Sequence, residues 1–162
     1  MKGLMQKHRI AIVLLFFLFA TSKASSDVEG VPSVTDGDTL RFGDTRVRLF
    51  GIDAPESKQT CERDGVTWLC GQEAGKVLRD LVGSQPLTCD EMDRDRYGRS
   101  VAVCVLPDGR DIGAIMVSEG LALDYAQYSK GMYAIEEREA REAGRGMWAG
   151  TFTPPWEWRR KR

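Results

Sequence analysis

The sequence predicts an α+β domain, a small β-barrel with two or three helices packed on its outside. Two patterns lead to this expectation. Short strand-like runs alternate with Gly-Asp and Pro-Asp-Gly turn signals, and only a few stretches carry helical spacing. Length supports a single unit, because 162 residues with 42% hydrophobic content build one modest core.

The first residues differ in kind from the rest. Lys2, Lys7 and Arg9 precede an unbroken apolar run from Ile10 to Ala20, and Ser22-Lys23-Ala24 follows as a small-x-small cleavage pattern. Residues 1–24 therefore read as a signal peptide, with 25–30 as a polar leader. A membrane anchor is the alternative, but a spanning helix needs about 20 apolar residues, and this run has 11. The expected mature protein is secreted or periplasmic, monomeric, and without stable membrane association.

Removal of that segment takes away four of the 23 basic residues and no acid, leaving 19 against 24 acidic residues. A net charge of −5 argues against a broad electrostatic grip on nucleic acid, so any phosphate chemistry must use a local cationic pocket. The only histidine, His8, lies in the same segment. Ser-His-Asp and Cys-His catalysis are thereby excluded, and acid-base work falls to carboxylates. Four cysteines, Cys61, Cys70, Cys89 and Cys104, suit two disulfides in an exported domain. Of three possible connectivities, Cys61 with Cys70 would staple a surface loop, and Cys89 with Cys104 would join two strand-like runs. Neither a C-x-x-C spacing nor paired histidines supports zinc.

Taken in order, Val31 to Phe42 and Thr45 to Ile52 read as a hairpin turning at Gly43-Asp44. In the second run Val47 and Leu49 alternate with Arg46 and Arg48, which places the two arginines on the face opposite the core. A loop from Ala54 to Gly71 carries the first cysteine pair. Ala74, Val77, Leu78 and Leu81 then fall at helical spacing over 72–81, with Gly83 as a stop. Pro86 to Cys89 and Ser100 to Leu106 are strand-like around a charged turn. Asp111 is placed to cap a helix reaching Glu119, and a charged helix follows over Tyr133 to Ala143. Residues 151–162 form a Pro/Trp/basic tail, expected to be extended and solvated.

Three clusters carry chemistry: Asp36-Gly37-Asp38-Thr39; Arg48 followed by Asp53-Ala54-Pro55-Glu56; and Asp95-Arg96-Tyr97-Gly98-Arg99. Each alone has an ordinary structural explanation as a turn, a solvated strand face or a strand end. Together they supply what phosphodiester cleavage requires. Glu56 can deprotonate an attacking water. Arg48 and Arg99 can each offer a fork of donors to phosphate oxygens, with a charge that does not titrate near neutrality. Asp38 and Asp53 provide hard oxygens for calcium or magnesium.

The order and spacing of these clusters resemble the staphylococcal (thermo)nuclease family from about Val34 to Trp148. Asp36-Gly37-Asp38-Thr39 is similar to its D-G-D-T signature, Arg48 to Glu56 to its R-L-x-x-[IV]-D-x-P-E run, and Tyr97-Gly98-Arg99 to its Y-G-R. Gly120-Leu121-Ala122 and Met147-Trp148 resemble later landmarks. The resemblance implies a nuclease-like domain over 31–150, with a five-stranded OB-fold barrel and about three helices. It also implies a Ca2+-dependent endonuclease that cleaves DNA and RNA and leaves 3′-phosphate ends. By position, Arg48, Glu56 and Arg99 correspond to the catalytic trio. Asp38 and Asp53 correspond to carboxylate ligands of calcium, with the Ala54 carbonyl as a main-chain ligand and Asp36 nearby through water. Arg96 and Tyr97 match residues that hold a terminal phosphate, and Tyr128, or Tyr125 in another register, matches a base-stacking tyrosine.

Two departures qualify the likeness. The cysteine-bearing insertion after Glu56 borders the proposed base and is expected to reshape substrate access. The acidic balance favours single strands or frayed ends over long duplexes. A calcium-binding helix-loop-helix at Asp93 fails, because Cys104 stands at its twelfth place. Glycoside hydrolysis by paired carboxylates would leave both arginines without a role. A non-catalytic binding barrel is the rival from another class, and the complete trio argues against it.

Overall fold

Short strands are imposed on this chain by its turns, and the turns decide how the sheet curls. The computed structural model describes residues 27–161; the expected signal peptide over 1–24 lies outside the described residues. Along the chain come β1 (Val28–Gly30), β2 (Ser33–Asp36), β3 (Thr39–Phe42), β4 (Thr45–Leu49), β5 (Ile52–Asp53), β6 (Cys61–Arg63) and β7 (Val66–Trp68). Then follow α1 (Cys70–Val82), β8 (Leu87–Arg94), β9 (Ser100–Val105), α2 (Ile112–Ser118), β10 (Leu123–Asp124), α3 (Ala126–Ser129), α4 (Ala134–Glu142) and α5 (Pro155–Arg160).

The main sheet runs in the order β1-β8-β9-β4-β3-β2. All neighbours are antiparallel except β4 and β9, which pair in parallel, with Val47 opposite Ser100 and Leu49 opposite Ala102. The sheet curls into a half-barrel, and α1, α2 and α4 are the three main helices, giving the α+β, OB-like fold expected. Its sixth strand, β1, occupies part of the expected leader: Val28 to Gly30 pair with Cys89 to Leu87.

Alternation fills the interior. Val47 and Leu49 of β4, Leu87 and Cys89 of β8, and Ala102 and Cys104 of β9 are buried on one face, where the two-residue period of a strand puts them. Ala74, Leu78 and Val82 of α1 and Ile112, Met116 and Val117 of α2 close over them. Asp111 caps α2 as expected, its Oδ1 accepting the amides of Gly113 at 2.7 Å and Ala114 at 3.3 Å.

The expected strand Val31 to Phe42 is two strands. Asp36 Oδ1 accepts the Asp38 amide at 3.1 Å, an aspartate-led turn that competes with the ladder, and the pairing slips between Val34 and Asp36. Only glycine fits at the tip. A Cβ on Gly37 would lie 2.8 Å from the Cβ atoms of both Ala54 and Ala74. The same density binds the D-G-D-T turn to α1 and to the start of the Ala54 loop.

The tail is the larger departure. It is a docked helix, not an extended solvated segment. Thr151 and Glu62 exchange backbone hydrogen bonds, each at 2.9 Å, and the buried Gln59 donates from Nε2 to the Thr153 carbonyl at 2.7 Å. Phe152 and Trp156 pack with Cys61, Cys70, Leu123 and Met147 in a second small core beside the barrel. Pro154 followed by Pro155 at the helix start supplies preset φ where an amide donor is not needed.

Disulfides join Cys61 to Cys70 and Cys89 to Cys104. The second bridges directly opposed residues of β8 and β9, and the first closes the β6–β7 hairpin onto the start of α1. Replacing Cys61 and Cys70 together by serine is expected to cost about 2 to 3 kcal/mol, the chain-entropy value for so short a loop. Urea unfolding of the double variant measures it, and an unchanged midpoint would show that the bridge does not constrain the unfolded chain.

Candidate active site

Arg48 reaches the site because β4 alternates. Its neighbours Val47 and Leu49 are inward and buried, so the guanidinium emerges on the opposite face, where it keeps only 20% side-chain exposure. There it meets two carboxylates. Nη1 donates to Asp38 Oδ1 at 3.1 Å, while Nη2 lies 3.0 Å from Asp38 Oδ2 and 2.7 Å from Asp53 Oδ1. One arginine therefore joins the β2–β3 turn to β5. Burial would lower its affinity for a proton, but the charges of Asp38 and Asp53 outweigh that and hold it more firmly protonated than usual.

Asp53 has no solvent exposure. Burial pushes its carboxyl above the ordinary range, opposed by the hydrogen bonds it accepts, those of Arg159 foremost. Asp36, on the same turn as Asp38, is pushed up to about 6 by burial and by the neighbouring charge of Asp38. Asp38 Oδ2 also accepts the Ala54 amide at 3.2 Å, which fixes the backbone from which the Ala54 carbonyl projects. Arg48 thus brings two carboxylates, Asp38 and Asp53, together, and among the described residues no group of three or more His, Cys, Asp or Glu side chains is arranged to hold a metal ion by itself.

Glu56 is placed through its backbone. Gln59 donates its amide to the Glu56 carbonyl at 2.7 Å and accepts the Glu56 amide on Oε1 at 3.3 Å. Gly71, in the first turn of α1, sits so close that a Cβ there would overlap the Glu56 carbonyl. The carboxylate itself is 38% exposed.

Arg99 comes from the β8–β9 turn. Asp95 Oδ1 accepts the amides of Tyr97 at 2.9 Å and Arg99 at 3.0 Å, and its Oδ2 accepts Arg99 Nε at 2.7 Å. Gly98 supplies the positive φ of 75° that the turn needs. Burial would raise Asp95, but the hydrogen bonds from Arg99 and Tyr97 prevail and hold it below the usual carboxylate range. With Nε occupied, the terminal nitrogens of Arg99 remain for a ligand.

These groups share one open cleft of about 1200 Å³. Arg48, Glu56, Arg99, Asp38, Ala54, Arg96, Tyr97 and Tyr128 all line it, and Asp53 lies beneath its floor. Both tyrosines offered as base platforms are present: Tyr125 and Tyr128 meet edge to face at 4.9 Å. The insertion over 57–71 does not line the cleft, so its expected effect on access is indirect. It holds the tail, and the tail supplies Trp156, Arg159 and Arg160 to the wall.

A scan against family models matches residues 46–150 to the staphylococcal nuclease homologues. The chain belongs to the staphylococcal nuclease family. Among curated relatives of this thermonuclease-like nuclease homologue, the micrococcal nuclease of Shigella flexneri is 36% identical over 168 residues, covering 93% of this chain and 91% of that protein. An uncharacterized endonuclease of Escherichia coli O157:H7 is 34% identical over 158 residues, covering 93% and 97%. The succinoglycan biosynthesis protein ExoI of Rhizobium meliloti is 35% identical over 140 residues, covering 85% and 73%.

Sequence reasoning placed Asp95 in the third cluster without a role of its own, and missed Gln59 and Arg159. Asp95 was legible as the acid that opens a turn four residues before an arginine. Gln59 and Arg159 left no local signal, because each acts through a partner more than 90 residues away. Two measurements check how the nuclease positions its side chains. Gly71→Ala should cost about 1 to 3 kcal/mol of stability and lower turnover at least about 10-fold by shifting Glu56; a normal rate would show that the position of Glu56 against α1 does not matter to turnover. Asp95→Ala should leave the far-UV circular dichroism intact and lower turnover about 10- to 100-fold, and wild-type rates would show that Arg99 needs no anchor.

Proposed function

We propose that this protein is a Ca2+-dependent endonuclease of DNA and RNA that leaves 3′-phosphate ends, exported to the periplasm or the cell exterior. The observation that carries the reading is the meeting, in one cleft, of two arginines and one half-exposed carboxylate above a buried acidic pair.

In this reading Glu56 is the general base. It removes a proton from the water that attacks phosphorus, and its partial exposure lets that water reach it. Arg48 and Arg99 approach the phosphate from β4 and from the β8–β9 turn. Their donors stabilise the charge that builds on the phosphoryl oxygens as the five-coordinate transition state forms. Arg48 has a second task, holding Asp38 and Asp53 in register.

The donors present suit a hard divalent cation. Asp38, Asp53 and the Ala54 carbonyl are oxygen ligands on adjacent, hydrogen-bonded segments, and the remaining positions would fall to water and phosphate oxygens. When bound there, calcium would supply further positive charge to the phosphate.

Arg96 and Tyr97 lie on the same turn as Arg99, with the Arg96 guanidinium 4.9 Å from the Tyr97 ring centre, and are assigned to a terminal phosphate. Tyr128, 56% exposed beside Tyr125, is assigned to an unstacked base. A net charge of −5 and this aromatic wall favour single-stranded substrates and a monomeric enzyme. Export is supported by the two disulfides, which persist in oxidising compartments, and by the residue pattern over 1–24. Among the described residues no helix is long and apolar enough to cross a membrane.

The deciding experiment is release of acid-soluble nucleotides from denatured DNA and from RNA by the oxidised protein, with calcium and with a chelator. Release should need calcium, and Glu56→Gln should lower it by at least about 10³-fold while sparing the fold, since the change removes a base and keeps the shape. Undiminished release by Glu56→Gln would place the base elsewhere, and no release by folded wild-type protein would favour a binding module.

A further inference from the structure

The tail brings a third guanidinium onto the acidic floor of the cleft. Arg159 Nη1 donates to Asp53 Oδ1 at 3.0 Å and to Glu56 Oε1 at 2.9 Å, and Nη2 donates to Asp53 Oδ2 at 2.8 Å. Arg48 already uses Asp53 Oδ1 at 2.7 Å, so the two arginines together engage both oxygens of this buried carboxylate. The residue lies beyond 46–150, the span that carries the family resemblance.

The contact is built from several parts of the chain. Trp156, one turn earlier on α5, lies flat against Tyr125 with ring centres 5.1 Å apart and planes within 5°. Pro155 is buried. The preceding residues are tied to the insertion at Thr151 and Thr153, and the insertion is closed by the Cys61–Cys70 bridge. The surroundings of Arg159 thus fix where its charge goes.

We propose that Arg159 is a positioning residue that competes with the divalent cation for Asp53, and so sets how tightly the site takes that ion. The inference rests on the cation assignment made above for Asp38 and Asp53. Its physical basis is twofold. Asp53 accepts two guanidinium hydrogen bonds on Oδ1 and one on Oδ2, so an ion that takes Oδ1, or both oxygens, must displace a donor. A monovalent charge kept within a few ångströms of a divalent ion in a buried site also opposes its entry. Because the same nitrogen reaches Glu56, displacement by the ion frees the base as well. Cation binding and exposure of the base are thereby one event. Of the two donors Arg159 is the one that also holds Glu56, and Arg48 the one that also holds Asp38, so loss of the Arg159 contact leaves the Asp38–Arg48–Asp53 group intact.

The test is isothermal titration of calcium alone into the oxidised wild-type protein and into Arg159→Gln, Arg159→Ala and Arg159→Lys, each first shown to be folded by circular dichroism. Arg159→Gln retains hydrogen-bond donors without the charge and guards against collapse of the tail in the alanine variant. Calcium should bind about 10-fold or more tightly to Arg159→Gln and Arg159→Ala than to wild type, with Arg159→Lys near wild type. Unchanged or weaker binding by both neutral variants, alongside measurable wild-type binding abolished by Asp38→Asn, would overturn the competition and leave the cation site standing. No binding by any of the proteins would overturn the cation assignment and the competition together.

Discussion

A carboxylate without solvent contact needs cations beside it, and Asp53 is the point around which this molecule is arranged. Isolated burial of its charge would cost several kcal/mol. Arg48 and Arg159 meet it at 2.7 to 3.0 Å, one from the sheet and one from the far end of the chain. The pairing requires Arg48 to project from the outer face of β4, Asp38 to turn toward it from the β2–β3 hairpin, and α5 to lie across the cleft. Each of those elements is also a wall of the site. The arrangement that satisfies a buried charge is therefore the arrangement that assembles the chemistry.

Two cores divide the work. The larger one, under the curled sheet, fixes the arginine-bearing strand and the turn that carries Arg99. The smaller one, built around Cys61, Cys70, Leu123 and Met147 with flanking aromatics, fixes Glu56 and the tail. Gly71 belongs to the boundary between them, with the start of α1 pressed against the Glu56 carbonyl. A disulfide closing a nine-residue separation there restricts the hairpin from which Gln59 reaches Thr153. The insertion after Glu56 acts as a buttress for Glu56 and for the tail.

Local patterns made much of this legible. Alternation in β4 placed Arg48 opposite the core. Asp111 was readable as a cap because an N-cap signal lies within three residues of its targets, whereas the charged turn expected from Asp90 to Gly98 is shorter: Asp90 to Arg94 continue β8, paired with β9, and the chain turns only beyond them, with Gly98 at positive φ. The break at Asp36-Gly37 falls in Thr35-Asp36-Gly37-Asp38-Thr39, where no apolar side chain marks a strand face; what the sequence did not show is the close packing of Gly37 against Ala54 and Ala74, a contact between segments distant in sequence. The tail was hidden for the same reason. Pro154-Pro155-Trp156 reads as extended by composition, and the segment folds against partners distant in sequence: the second core, the aromatic face of Tyr125 and the buried charge of Asp53.

Burial also explains why a chain with an acidic excess can manage an anionic substrate. Of the carboxylates near the cleft, Asp38 and Asp53 are enclosed and neutralised by Arg48 and Arg159, and Asp95 is paired with Arg99. Asp36, Glu56 and Asp93 line the cleft as well, and of these Glu56 is paired with Arg159. Local pairing of this kind, which leaves the terminal nitrogens of Arg99 open to the cleft, sets the field in the pocket more than net charge does. The field is short-ranged, so it acts on a charge that has entered the cleft and little on one outside it.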